Sequence, residues 1–208
     1  MAPHGKCCGD SSHHLESDEI GIHYSLYNKI DTENLECLNE TTEGSGKTVF
    51  KPWEERLNFE MFVESDADEE LLFNIPFVGN IKLKAIKVIG EDSDTHPSKM
   101  RLFKNRPSMT FDDTSCTADQ EFELVHDTNG IAEYVTKVVT FNNVNHLTLH
   151  FPSNFGASST KIYYIGLKGE YFEAHHHGVT ICTYEARPMP QDHKNPLTEF
   201  SAGQLGGQ

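Results

Sequence analysis

Apolar and polar positions alternate in short runs along this chain, and the runs stop at Pro, Gly, Asn or Asp. No segment carries a sustained apolar stripe at the helical period of about 3.6 residues, so the pattern is one of strands. Ser25 to Ile30 fits a short helical turn or an extended lead-in, and Thr48-Val49-Phe50-Lys51 a short strand ended by Pro52. Leu57 to Val63 alternates at period two and predicts another strand. After an acidic turn, Glu64 to Glu70, Leu71 to Phe77 predicts a buried strand closed by Pro76 and Gly79.

Ile81 to Ala85 alternates cleanly, and from Ile86 to Ile89 the parity is reversed. One extra residue in a strand does this, so a bulge is expected near Ala85. Arg101 to Lys104, Tyr134 to Phe141, His146 to Phe151, Lys161 to Leu167 and Val179 to Tyr184 read as further strands. In His146 to Phe151 the apolar Leu147, Leu149 and Phe151 share one face, which predicts surface positions for His146 and His150. About eight to ten short strands separated by turn residues predict an all-β sandwich or jelly roll.

The ends follow a different rule. Residues 1–19 hold His, Cys, Gly, Ser and acids with hardly an apolar side chain, too little to offset ordering entropy by burial. A disordered tail is expected there, a domain over 20–192, and a flexible C-terminal tail over 193–208. With 208 residues, one core can bury roughly 70% of the unfolded surface and needs no metal or disulfide to fold.

Charge narrows the partner class. The formal net charge of −15 repels nucleic-acid phosphate and anionic membrane, and favours a protein with a basic or mixed surface. Neither a membrane span nor a secretory h-region is readable. The five cysteines are odd in number and unevenly spaced, which predicts free thiols and a cytoplasmic address, extending to the nucleus.

Chemistry-bearing candidates weaken on inspection. Gly44-Ser45-Gly46-Lys47-Thr48 resembles the end of a phosphate-binding loop, but Thr41 stands where that motif needs its first glycine. A flexible loop is expected instead. The acids Asp66, Asp68, Glu69 and Glu70 lack the glycine and following Glu of a calcium loop, and read as a solvated turn. Adjacent Cys7-Cys8 with His4, His13 and His14, and the run His175-His176-His177, lack the spaced pairs of a zinc site. No Cys-x-x-Cys and no Gly-x-Ser-x-Gly occurs. No cofactor, metal or catalytic residue is assigned. Trp53, the single tryptophan, follows Pro52 and precedes Glu54-Glu55-Arg56; it reads as a cover on the end of the core or as an interface anchor.

An ordered set of segments then gives a family resemblance. It comprises Cys37-Leu38-Asn39-Glu40, the stretch Glu64 to Phe77, Leu102 to Pro107, Phe111-Asp112, Phe141 to Asn145, Leu147-Thr148-Leu149, and Thr160 to Gly169. Together they resemble the PITH (proteasome-interacting thioredoxin) domain, and Phe50 to Leu57 resembles its stand-alone branch. The resemblance implies a jelly-roll β-sandwich of the galactose-binding-like kind and association with the proteasome regulatory particle. It also suggests an indirect role in gene regulation. Redox-active relatives carry a Trp-Cys-Gly-Pro-Cys segment, which is absent here, so reductase activity does not carry over.

The leading expectation is a non-catalytic, monomeric protein-interaction module. Its candidate contact residues are Trp53, Arg56, Asp66, Asp68, Asn105 and Phe155. The alternative is a lectin-like domain that binds a glycan or small ligand through Trp53, Asn105, Asn154 and Phe155, supported by fold analogy alone. A metal or thiol enzyme built on the His- and Cys-rich ends ranks last.

Overall fold

The computed structural model describes residues 25–172. The expected tails, Cys7-Cys8, His175-His176-His177 and the Val179 to Tyr184 strand lie outside the described residues. Among them are β1 (Glu36–Leu38), α1 (Ser45–Thr48), β2 (Val63–Glu64), β3 (Leu71–Gly90), β4 (Pro97–Lys104) and β5 (Gln120–Glu123). β6 (Tyr134–Val135), β7 (Val144–Asn154) and β8 (Lys161–Phe172) follow. Single 3-10 turns occur at Tyr27–Lys29, Trp53–Glu55 and Asp112–Ser115.

The strands pair in the order β2-β8-β3-β7-β4-β5, with β1 and β6 also on β3. β3 makes the sandwich. Its first part pairs with β7 from Leu71↔Phe151 to Pro76↔His146, and its second part with β8 from Asn80↔Phe172 to Gly90↔Ile162. Between Pro76 and Ile81 the register shifts, and the sheet folds over on itself. The expected break at Pro76 and Gly79 is therefore a bend within one strand. Proline has no N–H to give a neighbour, which suits the end of a pairing, and a Cβ on Gly79 would lie 2.8 Å from the Tyr171 ring. The Ala85 bulge is present: Leu83 opposes Gly169, Ala85 opposes Lys168, and Lys84 is the extra residue.

Leu71, Phe73 and Ile75 of β3, Leu147, Leu149 and Phe151 of β7, and Ile162, Ile165 and Leu167 of β8 belong to one buried cluster. The bulge keeps this consistent, with Ile81 and Leu83 inward before it and Ile86 and Val88 inward after it. Each such side chain contributes about 1.5–3 kcal/mol through burial.

The outer faces are covered as well, which corrects the histidine expectation. His150 is 2% exposed and His146 half-buried. The loop from Asn105 to Asp119 lies over this side of the sheet, where Met109, Phe111, Cys116 and Ala118 pack with Leu72 and Phe103. Asn74 pins that loop: its Nδ2 donates to the Met109 carbonyl at 2.9 Å and its Oδ1 accepts from the Met109 N–H at 3.2 Å. Arg101 donates to the carbonyls of Thr114 and Cys116 at 2.7 and 2.9 Å.

Three predicted strands change. Thr48 closes α1, and the expected Thr48 to Lys51 strand is absent, although Val49 and Phe50 are buried. Of Leu57 to Val63 only Val63 is in a strand, and of Tyr134 to Phe141 only Tyr134 and Val135 are. The Gly44 to Thr48 stretch is an ordered turn of helix. The Glu40 carboxylate accepts from the N–H groups of Gly44 and Gly46 at 2.5 and 2.6 Å, so the amides a phosphate would want are already taken.

Candidate functional site

The loops at one end of the sandwich form a continuous rim. Its backbone is tied from loop to loop. Thr160 N–H donates to Ser65 Oγ at 2.8 Å and Thr160 Oγ1 to the Glu69 carbonyl at 2.6 Å. Phe155 N–H reaches the Asp94 and His96 carbonyls at 3.1 and 3.2 Å. The Asp127 N–H donates to His96 Nε2 at 3.1 Å, while His96 Nδ1 donates to the Pro97 carbonyl at 2.8 Å. These two bonds assign neutral imidazole with its proton on Nδ1, and burial lowers the His96 pKa in the same sense.

Asp127 shapes the next loop. Its carboxylate accepts from the N–H groups of Asn129, Gly130 and Ala132 at 3.0, 2.8 and 2.6 Å. Burial pushes this carboxyl up, but the surrounding backbone N–H groups outweigh it and hold it below the usual range. Gly130 has φ +77° and lies so close to Trp53 that an added Cβ would sit 3.2 Å from the indole.

Residues 52–62 cross the face of β8 as a strap, and Trp53 is its anchor. The indole packs edge-on against Tyr164 at 6.0 Å. The Arg56 guanidinium and Lys87 ammonium lie 4.0 and 4.7 Å from its ring centroid. Arg56 donates to the Trp53 carbonyl at 3.1 Å and to the Asn129 carbonyl at 3.4 Å, and Lys87 to the Gly130 carbonyl at 2.6 Å. Burial raises the Tyr164 hydroxyl to about 12 and lowers the Lys51 ammonium. That buried lysine holds the far limb of the strap, donating to the Asn58 and Met61 carbonyls at 2.7 and 3.4 Å.

With both limbs fixed, alternate apolar residues point outward. Leu57, Phe59 and Met61 are 43%, 47% and 47% exposed. Phe59 still touches Tyr163 edge-on at 4.9 Å, and Lys161 lies 4.2 Å over Phe62. These three residues escaped the sequence reading. Their signal is the alternation after Pro52-Trp53, which predicts a strand, and no strand among the described residues pairs with 57–61.

The six candidate contact residues separate by role. Trp53 and Arg56 stand together at the strap, and Phe155 lies on the same rim, stacked on His126 at 3.9 Å. Asp66 is exposed on the turn beside Thr160. Asp68 serves the fold: its Oδ1 accepts from Asn39 Nδ2 at 2.7 Å and from the Glu70 N–H at 3.1 Å. Asn105 is at the opposite end, where its Oδ1 accepts from the Asn145 N–H at 2.9 Å and its Nδ2 donates to the Asn143 carbonyl at 3.1 Å. The Asn154 amide is likewise turned inward, onto the carbonyls of Ala157 and Ser159. No cluster of three metal-ligating side chains is present among the described residues.

Comparison with known proteins decides the family. The PITH domain model matches residues 16–188. The chain belongs to the PITH domain family. It is 63% identical to PITH domain-containing protein GA19395 of Drosophila pseudoobscura pseudoobscura, covering 93% of this chain and 92% of that one. It is 57% identical to human PITH domain-containing protein 1, over 88% of this chain and 89% of the relative. Among solved structures, the CBM32-1 and CBM32-2 domains of Clostridium perfringens ZmpB in complex with GalNAc align with a TM-score of 0.53 at 12% identity. That match spans 77% of this chain and 40% of the other. The likeness shows that this PITH domain has the galactose-binding-like jelly-roll sandwich, and at that identity it shows the fold alone.

Proposed function

We propose that this PITH domain is a non-catalytic docking module whose partner is the regulatory particle of the proteasome, engaged through the strap end of the sandwich. The observation that carries the reading is the outward row Leu57, Phe59 and Met61 on a segment pinned at both limbs. Exposed apolar side chains on a rigid support lose little conformational freedom on binding, which is the usual condition of an interface hot spot. The choice of partner follows what the resemblance to the PITH domain implies, namely association with the proteasome regulatory particle. The ionisable groups of the rim support it from the other side: His96 and Asp127 spend their hydrogen bonds on backbone groups. The glycan alternative draws on the fold, while two of its residues, Asn105 and Asn154, are committed to the chain's own loops.

Affinity purification of the full chain from cells at moderate salt tests the proposal. Regulatory-particle subunits are expected with the native chain and a reduced yield with Phe59→Ala. Recovery of none, from a chain with an unchanged melting curve, would sink it. A glycan array that binds the chain would instead favour the lectin-like reading.

A further inference from the structure

Two cavities flank the strap, and each joins an apolar wall to at least one carboxylate outside any ion pair among the described residues. On one side, 400 Å³ is bounded by Phe59, Tyr163, Glu91, Asp92 and Asn129. On the other, 460 Å³ is bounded by Met61, Phe62, Glu43, Glu60 and Glu64. Glu91 is already neutralised by Lys161 at 3.4 Å, but Asp92, Glu43 and Glu60 take part in no ion pair among the described residues. The face holds cations on its rings as built, with Arg56 over Trp53 and Lys161 over Phe62.

We propose that the strap reads a basic, extended segment of its partner, with one arginine or lysine side chain entering each flanking cavity. The inference rests on the docking reading above and adds the chemistry of what docks. Arginine and lysine fit such a site because their aliphatic stems lie along apolar surface while the charged head reaches a ring face or a carboxylate. A leucine-like residue between them would rest on the exposed Phe59 and Met61. An acidic segment meets Asp92 and Glu60 directly and is rejected.

The test titrates the isotopically labelled full chain with short peptides alternating arginine with leucine, against glutamine–leucine and glutamate–leucine peptides of equal length. The arginine peptide is expected to shift amide resonances at Asn58 to Phe62, Glu91, Asp92 and Glu43 to Ser45. Its Kd should weaken about fivefold in the Asp92→Asn, Glu60→Gln double variant, as two lost exposed charge pairs imply. Equal shifts from the glutamine peptide, or shifts confined to another face, overturn the proposal. Capture of proteasome subunits separates it from the docking reading. Loss in Phe59→Ala with full retention in the charge double variant leaves docking standing and rejects the basic segment. Retention in both variants rejects the strap as the contact site and, with it, the basic segment.

Discussion

His150 lies under Phe111 at a ring distance of 6.2 Å, and neither ring nitrogen has a hydrogen-bond partner among the described residues. Burial, aided by Arg101 on the neighbouring strand, lowers its pKa from 6.5 to about 4. Below pH 6.5 the unfolded chain then takes up a proton that the folded chain refuses, so stability falls with pH until about 4 and levels off there. The shift corresponds to at most about 3 kcal/mol. Glu70, whose Oε2 is 3.5 Å from His150 Nε2, works against this: burial and then Asp68 and Glu69 raise its carboxyl, so folding favours its protonated form. Urea titrations across this range should show a flatter pH slope for His150→Leu than for the native chain. An unchanged slope would place the acid sensitivity elsewhere. Asn105 gives a second residue-scale expectation. It holds φ +53° and satisfies the backbone of residues 143–146 through its amide. Asn105→Ala should cost about 1–2 kcal/mol of stability and leave partner capture unchanged.

At the scale of elements, β3 and β8 depend on close backbone approach where the bulge sits. A Cβ on Gly169 would overlap the Lys82 carbonyl oxygen and press Leu26 Cδ1 at 3.0 Å. Backbone cannot retreat like a side chain, so Gly169→Ala should destabilise the domain by about 2–3 kcal/mol, read as a lower urea midpoint at unchanged slope. The parity reversal at Ala85 was legible beforehand because a bulge leaves its mark in the sequence itself. So were β7, whose inward Leu147, Leu149 and Phe151 alternate with polar positions, and β8, legible from its β-branched and aromatic residues. The failures share one cause. Leu57 to Val63 alternates as well as β7 does, but alternation reports two unlike sides and says nothing of which side meets protein. There the chain wraps the Lys51 ammonium and turns its apolar side out. His150 failed in the mirror sense, being polar on a face that a distant loop covers. Asn105 and Asp68, candidate contact residues by their place in polar loops, also hold hydrogen bonds within the chain, which composition alone does not reveal.

For the whole molecule, charge and shape make separable contributions to binding. On the docking proposal, a net −15 acts at long range and sets how quickly a basic partner arrives, whereas the strap's apolar row acts on contact and sets how long it stays. Between about 0.1 M and about 1 M salt the screening length falls from about 10 Å to about 3 Å. The association rate with a regulatory-particle subunit should therefore fall by about tenfold or more over that range, with the dissociation rate changing far less. Phe59→Ala should do the converse, raising the dissociation rate and sparing the association rate. Surface-immobilised kinetics of the native chain and this variant at both salt concentrations separate the two effects. A dissociation rate that carries the whole salt effect, with an insensitive association rate, would mean that the acidic field does not steer the encounter. Charge would then act only through pairs formed on contact, such as those proposed at Asp92 and Glu60, and not through the field of the whole chain.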